Sequence, residues 1–188
     1  VVNQYTPGCL TITKTLDIPA GVPLADLDGT FIINVAGPGG YSQNVSFTVV
    51  NGVITSTNPV TLSNLIPGVY TLTEPGIPGT PAGWANLSGL GTITVNSGAT
   101  CAARTVVNQY TPGCLTITKT LDIPAGVPLA LLDGTFIINV AGPGGFSQNV
   151  SFTVVDGVIT STNPVTLNNL IPRTYTLTEP GIPGTPAG

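Results

Sequence analysis

The sequence contains neither histidine nor methionine, and only four of its 188 residues are basic. Histidine is the commonest metal ligand in proteins and a frequent general base. Its absence excludes Ser/His/Asp and Cys/His catalytic sets, together with the histidine-containing centres of metal-dependent hydrolases. The acidic residues are scattered and form no paired-carboxylate motif. We therefore expect no catalysis on an external substrate, no metal site and no cofactor.

Charge is also scarce, because 6% of the residues are charged where about 25% is usual. The basic residues Lys14, Arg104, Lys119 and Arg173 are too few to follow a phosphate backbone, which excludes nucleic-acid binding. No apolar run approaches the ~18 residues of a membrane span, so direct membrane insertion is not expected. The surface must be built from Thr, Ser, Asn, Gly and Pro, a composition that suits an extracellular location on a cell surface or in a filament.

The sequence repeats itself after 105 residues: "VVNQYTPGCLTITKTLDIPAGVPLA" occurs at position 1 and again at 106. A period of this length indicates tandem whole domains. We expect 1–8 to be the last strand of a preceding repeat, 9–110 to be one complete repeat, and 111–188 to be a second repeat without its last strands. The chain is then part of a longer array, or neighbouring molecules complete each other's sheets by strand addition.

Frequent turn residues predict an all-β fold. Eighteen prolines and 24 glycines leave no room for an amphipathic helix of normal length, whereas short β-branched runs occur throughout. Many short strands in about 100 residues predict a two-sheet sandwich in each repeat. In the complete copy we predict strands at 9–16, 29–36, 44–50, 52–56, 59–64, 68–74, 91–95 and 101–110.

Three polar side chains fall in the apolar register of their predicted strands. Side chains alternate across a strand, so Lys14 shares a face with Leu10 and Ile12. Glu74 shares a face with Tyr70 and Leu72 in the same way, and Asn108 lies on the face of Val106 and Tyr110. One repeat thus directs an amine, a carboxyl and a carboxamide toward the core.

These three groups have a structural and a chemical interpretation. In the first, Lys14 extends its ammonium to water and Glu74 forms an ordinary salt bridge. In the second, burial favours the neutral forms of both groups. Lys14 then attacks the Asn108 carboxamide, while Glu74 hydrogen-bonds the amide oxygen and transfers protons as ammonia leaves. The product is an amide that joins the first strand to the last.

The sequence resembles the Cna B-type, or prealbumin-like, domains of bacterial surface adhesins and pilins. The resemblance covers 9–110 and rests on "LTITKT", "DGTF", "LIPGVYTLTEP" and "VVNQY". It implies adjacent, parallel first and last strands and a Lys–Asn isopeptide bond between Lys14 and Asn108, promoted by Glu74. Lys119 and Glu179 are the equivalents in the second repeat, whose asparagine would lie beyond residue 188. Asn3 would be the acceptor for a preceding repeat.

The three cysteines follow the same repeat. The implied parallel strands bring Cys9 close to Cys101 and favour a disulfide in an oxidising compartment, with buried free thiols as the alternative. With Lys14 opposite Asn108, the cysteines would be two residues out of register, so this disulfide would require a bulge or a splayed strand end. Cys114 is expected to be unpaired in this chain.

The resulting hypothesis is a structural repeat of an extracellular stalk, fibre or pilus-like filament. Self-formed crosslinks would let it bear mechanical load, with neighbouring copies of itself as partners, in tandem or head to tail. One alternative is an adhesin module whose loops bind a surface ligand, with Trp84 and Tyr41 as candidate contacts. Another is a filament subunit that assembles by donating the strand "VVNQYTPG" to its neighbour.

Overall fold

A computed structural model describes residues 4–75 and 82–180. The chain divides into two compact units, Val1–Pro112 and Gly113–Gly188, here called unit 1 and unit 2. The described residues form β-strands and short 3₁₀ turns, which confirms the all-β prediction. Within these residues, no helix has the length and hydropathy needed to cross a membrane.

Unit 1 is a sandwich of two sheets. One sheet has the strand order β5-β1-β9-β7 and the other has the order β4-β3-β2-β6-β8. Apolar residues that alternate along the strands fill the space between the sheets, and most of them are fully buried. The nine strands are β1 (Gly8–Asp17), β2 (Gly29–Gly37), β3 (Tyr41–Val50), β4 (Val53–Ile54), β5 (Val60–Leu65), β6 (Gly68–Thr73), β7 (Trp84–Ser88), β8 (Gly91–Val95) and β9 (Ala102–Tyr110).

The first and last strands of unit 1 are adjacent and parallel, as the resemblance to Cna B-type domains implied. β1 and β9 pair without interruption from Leu10 opposite Ala102 to Asp17 opposite Gln109. β5 flanks β1 on its other side in antiparallel orientation. β1 is therefore a central strand, and the inward side chains of Leu10, Ile12 and Lys14 are buried.

Local sequence accounts for the tight hairpin between β3 and β4. Asn51 and Gly52 form the turn with φ angles of 50° and 71°. A two-residue type I′ turn requires positive φ at both positions, which Asn-Gly tolerates better than other pairs.

One strand of unit 1 was missed from the sequence. All eight predicted strands are present, seven of them with shifted ends, but no strand was predicted at β7. Its burial pattern explains the miss, because only Trp84 is partly buried and the next four residues are exposed. β7 lies at a sheet edge and pairs with β9 alone, so it lacks the alternation that marks a half-buried strand.

Unit 2 repeats the first part of this sandwich with smaller sheets. Its described strands form a two-stranded sheet β10-β14 and a four-stranded sheet β13-β12-β11-β15. β10 ends at Ile117, whereas the equivalent strand of unit 1 continues for five more residues beyond Ile12. The strands are β10 (Gly113–Ile117), β11 (Gly134–Ala141), β12 (Ser147–Val155), β13 (Val158–Ile159), β14 (Val165–Leu170) and β15 (Thr176–Thr178).

Candidate functional site

Lys14, Glu74 and Asn108 meet inside unit 1. Lys14 points inward from β1, Asn108 points inward from β9, and Glu74 directly follows β6 on the opposite sheet. The Lys14 Nζ donates to Glu74 Oε1 at 3.1 Å and contacts Asn108 Oδ1. The Asn108 Nδ2 donates to Glu74 Oε2 at 2.9 Å. Each side chain therefore touches the other two, and the site bridges both sheets.

The site is closed to solvent. Lys14 and Asn108 are 1% and 0% exposed, and the Glu74 side chain is 3% exposed. The Lys14 Nζ also lies 4.6 Å from the centre of the Phe31 ring. Burial lowers the pKa of Lys14, although the negative charge and hydrogen bond of Glu74 partly oppose that shift. A lower pKa increases the fraction of neutral amine, which is the nucleophilic form.

The orientation of the Asn108 carboxamide differs from the expectation in one detail. We expected Glu74 to hydrogen-bond the amide oxygen, but it accepts a hydrogen bond from the amide nitrogen instead. If Lys14 attacks the amide carbon, that nitrogen is the leaving group. The Glu74 carboxyl group thus lies where it can receive a proton from the lysine amine and deliver it to the departing nitrogen.

Asn58 holds the backbone of Lys14 and was missed in the sequence, where "TNP" indicated only a turn. β5 begins at Val60, which pairs with Ile12, so its ladder does not reach Lys14. The Asn58 side chain supplies the missing hydrogen bonds instead. Its Oδ1 accepts from the Lys14 N–H at 2.9 Å, and its Nδ2 donates to the Lys14 carbonyl at 2.8 Å. Asn163 makes the same pair of bonds with Lys119 in unit 2.

Replacing Asn58 with alanine is expected to lower the free energy of unfolding of unit 1 by about 1–2 kcal/mol, because two backbone groups of Lys14 lose their partners. Chemical unfolding followed by the fluorescence of Trp84, the only tryptophan in the sequence, measures this change. Asn44→Ala is the matched control, since it removes an exposed 3.0 Å bond to Asn34 and should cost less than about 0.5 kcal/mol. Equal costs for the two variants would contradict the assigned function of Asn58.

Asn86 is a second side chain that sequence reasoning missed. It lies on β7, the strand that was not predicted, and its Nδ2 lies 3.5 Å from Asn108 Oδ1. The same nitrogen donates to the Val107 carbonyl at 3.3 Å. Asn86 therefore places an N–H group beside the oxygen on which negative charge would develop during attack on Asn108.

A disulfide joins Cys9 to Cys101, with the two Cα atoms 4.5 Å apart. The expected bulge between β1 and β9 is absent, and that part of the prediction was wrong. The register aligns the cysteines and offsets Lys14 from Asn108 instead: Lys14 lies opposite Val106, and Asn108 lies opposite Leu16. The long lysine side chain spans the two-residue offset, which a short cysteine side chain could not. Cys114 is a free, exposed thiol.

Unit 2 contains half of this arrangement. The Lys119 Nζ donates to both carboxylate oxygens of Glu179 at 3.1 Å, and it lies 4.6 Å from the Phe136 ring centre. The side chains of Lys119 and Glu179 are 17% and 35% exposed. Asn3, the expected acceptor for a preceding repeat, lies outside the described residues.

The two aromatic residues considered for ligand contact pack inside unit 1. Trp84 makes edge contacts with the rings of Phe31 and Tyr110, with both centroid distances 5.2 Å. Tyr41 packs edge-on against Tyr70 at 5.6 Å. Both residues therefore contribute to the packing around the core.

Comparison with known proteins gives structural neighbours only. No protein-family model and no curated protein sequence matches the chain. The Bacillus anthracis TIE protein aligns with 93% of this chain at 18% identity and a TM-score of 0.49, and the match covers 31% of that protein. A minor pilin of Streptococcus agalactiae aligns with 64% of this chain at 20% identity and a TM-score of 0.35, over 49% of its own length.

The major pilin of Streptococcus pyogenes aligns with 92% of this chain at 14% identity and a TM-score of 0.40, over 77% of its own length. The chain thus spans about a third of the TIE protein and about half of the minor pilin. All three neighbours, two streptococcal pilins and the TIE protein, are similar to this chain at 20% identity or less.

Proposed function

We propose that this protein is a structural repeat of an extracellular stalk, fibre or pilus-like filament, in which 9–110 is one complete self-crosslinked domain. The observation that carries the proposal is the buried contact among Lys14, Glu74 and Asn108. A buried ion pair gives little net stability, whereas a neutral amine held against a carboxamide beside a carboxyl group is arranged for amide formation. The protein performs this reaction once, on itself.

The position of the crosslink suits a load-bearing domain. Because β1 and β9 are parallel neighbours, a chain that enters along β1 leaves along β9 at the opposite end of the strand pair. A Lys14–Asn108 amide would carry tension directly between these strands. The polypeptide between them would then bear no load.

The Cys9–Cys101 disulfide supports the extracellular location, since disulfides persist in oxidising compartments. The disulfide and the proposed amide link the same two strands. Little charge and many Thr, Ser, Asn, Gly and Pro residues are consistent with an exposed coat or filament. The partners of the repeat are then neighbouring copies of itself.

Intact-mass measurement of the purified chain tests the amide bond. The expected mass is lower than the sequence mass by one ammonia, beyond the two hydrogens lost in the disulfide, and peptide mapping should join Lys14 to Asn108. The variant Lys14→Ala should retain the ammonia, because no amine remains to attack Asn108. A folded, disulfide-bonded wild-type protein whose mass shows no loss of ammonia would refute the proposed crosslink.

A further inference from the structure

The edge strand β7 contains a β-bulge directly after Asn86. In the antiparallel pairing of β7 with β9, Asn86 lies opposite Asn108. Ser88, two residues further along β7, lies opposite Val107, which is the neighbour of Asn108 in the sequence. Leu87 is therefore an extra residue without a counterpart on β9. Bulges are common beside active sites, where they redirect side chains, and this bulge lies next to the candidate site.

The hydrogen bonds of Asn86 fix the orientation of its carboxamide. Its Nδ2 donates to the Ser88 carbonyl at 3.2 Å and to the Val107 carbonyl at 3.3 Å. Both partners are acceptors, so the nitrogen of Asn86 must face them and its oxygen cannot. The same nitrogen lies 3.5 Å from the Asn108 Oδ1. An N–H group at this position favours the oxygen of the Asn108 carboxamide over its nitrogen, so Asn86 selects which end of that carboxamide faces β7.

The other end of the Asn108 carboxamide faces Glu74. Glu74 Oε2 accepts from the Asn108 Nδ2 at 2.9 Å, and Glu74 Oε1 accepts from the Lys14 Nζ at 3.1 Å. The two carboxyl oxygens are thus engaged by the nitrogen that would leave and the nitrogen that would attack. The carboxamide oxygen therefore depends on other donors.

The Asn108 Oδ1 has two hydrogen-bonding neighbours among the residues that the structure describes, the Lys14 Nζ and the Asn86 Nδ2. If the Lys14 Nζ attacks the Asn108 Cγ, it becomes bonded to that carbon and no longer serves as the donor. The Asn86 N–H then remains for the oxygen, on which negative charge develops. Its contact is long before the attack, so it can strengthen as the charge grows. An interaction that is stronger in the transition state than in the ground state accelerates the reaction.

We propose that Asn86 is a catalytic residue of the intramolecular crosslinking reaction, which holds the Asn108 carboxamide with its nitrogen toward Glu74 and donates to the oxyanion that forms on Oδ1. The inference rests on the proposed Lys14–Asn108 amide and concerns the same site. Glu74 and Asn86 divide the reaction between them, because one transfers a proton to the leaving nitrogen and the other stabilises the oxygen. The edge strand β7 thereby supplies a chemical group to the site.

The covalent step balances without a co-reactant. The neutral Lys14 Nζ attacks the Asn108 Cγ, a C–N bond forms, and an electron pair of the C=O bond moves to Oδ1 beside Asn86. Glu74 accepts one proton from the attacking amine and delivers it to the Asn108 Nδ2. The C=O bond forms again, the bond from Cγ to Nδ2 breaks, and ammonia leaves. The oxygen of the product amide stays next to Asn86.

Asn86→Ala is expected to slow formation of the Lys14–Asn108 amide about 10-fold. Loss of a buried oxyanion donor costs about 10²–10³ in rate, but Asn86 is exposed and its contact with Oδ1 is long, so we expect a smaller effect. Chains denatured before the amide has formed are refolded, mass spectrometry follows the loss of ammonia, and Trp84 fluorescence follows folding. Leu87→Ala is the matched control, because it changes the neighbouring exposed residue of the same bulge and should react at the wild-type rate.

The pH dependence of the amide-forming rate separates this function from a purely structural one. The rate should rise with pH as Lys14 loses its proton and then reach a plateau. Asn86→Ala changes no charge and leaves Glu74, the carboxyl group in contact with Lys14, in place, so the midpoint of the rise should stay unchanged while the plateau falls. If Asn86 only held the bulge closed, its loss would let water reach Lys14. The pKa of Lys14, which burial lowers, would then rise, and a midpoint at higher pH with an unchanged plateau would contradict the proposal.

Asn86→Asp provides a second test, which decides the matter if Asn86→Ala does not fold. It has almost the same shape but presents an acceptor to Oδ1 in place of the N–H donor, so its plateau rate should lie at least about 10-fold below that of Leu87→Ala. Plateau rates equal to that of Leu87→Ala in the Asn86 variants would overturn the assignment of Asn86, while the amide and the proposed function would stand. A folded wild-type chain that never loses ammonia would overturn both.

Discussion

Glu74→Gln is expected to leave unit 1 folded but to slow formation of the Lys14–Asn108 amide at least about 100-fold, the lower end of the usual contribution of acid–base catalysis. The negative charge of Glu74 raises the pKa of Lys14 against the lowering effect of burial. Removing that charge therefore keeps the amine neutral and nucleophilic. The variant lacks only the group that transfers a proton to the Asn108 nitrogen, 2.9 Å away from Glu74 Oε2.

The measurement starts from denatured protein in which the amide has not yet formed. During refolding, mass spectrometry follows the fraction of Glu74→Gln chains that have lost ammonia over time. Glu179→Gln is the matched control, because it makes the same change in unit 2 and should not alter the unit 1 amide. Circular dichroism and retention of the Cys9–Cys101 disulfide show that the variant is folded. An amide yield equal to that of Glu179→Gln would mean that Glu74 has only a structural function.

Loss of both crosslinks in unit 1 is expected to lower its free energy of unfolding by about 8 kcal/mol, while loss of either alone costs about 3 kcal/mol. The disulfide and the proposed amide span 92 and 94 residues of sequence. Either bond alone closes a large loop, worth about 4.7 kcal/mol of chain entropy, and the second bond then closes only the short loop between the two. The costs are therefore not additive, and a loss of this size approaches the whole stability of a typical domain.

Four states measure this coupling: the chain with and without Asn108→Ala, each oxidised and reduced. A Cys114→Ser background prevents disulfide exchange with the free thiol. Trp84 lies in unit 1 and is the only tryptophan in the sequence, so its fluorescence during chemical unfolding follows this unit. Reducing the disulfide lowers the free energy of unfolding by one amount in the chain with Asn108 and by another in Asn108→Ala. The packing cost of the substitution is present in both states of the variant, so it cancels when these two amounts are compared. Additive costs would show that the two bonds do not act through the same loop of the unfolded chain.

The general architecture was predictable because it depends on short-range sequence patterns. Alternation of apolar residues and closely spaced turn residues identified eight strands and an all-β sandwich, and the structure confirms both. The same alternation placed Lys14, Glu74 and Asn108 on inward faces, where the structure brings them into contact. Whether they form an amide stays a prediction until the mass is measured.

Register and edge strands were not predictable from such patterns. The pairing between β1 and β9 depends on contacts between residues more than ninety positions apart, and the family resemblance favoured placing Lys14 opposite Asn108. The structure instead aligns the cysteines, and the Lys14 side chain reaches Asn108 two residues along the neighbouring strand. Asn58 and β7 were missed for a related reason: each acts through a partner on a distant strand.

If the amide forms, the facing of Lys14 and Asn108 would also let the crosslink discriminate between strand registers during folding. Slipping β9 by one residue would turn Asn108 to the opposite face of the sheet, where the Lys14 amine cannot reach it. Near-identical repeats offer many wrong strand pairings of similar stability, and those pairings remain reversible. A pairing in the native register becomes permanent once ammonia has left, so the reaction would select correctly folded domains from a mixture of alternatives.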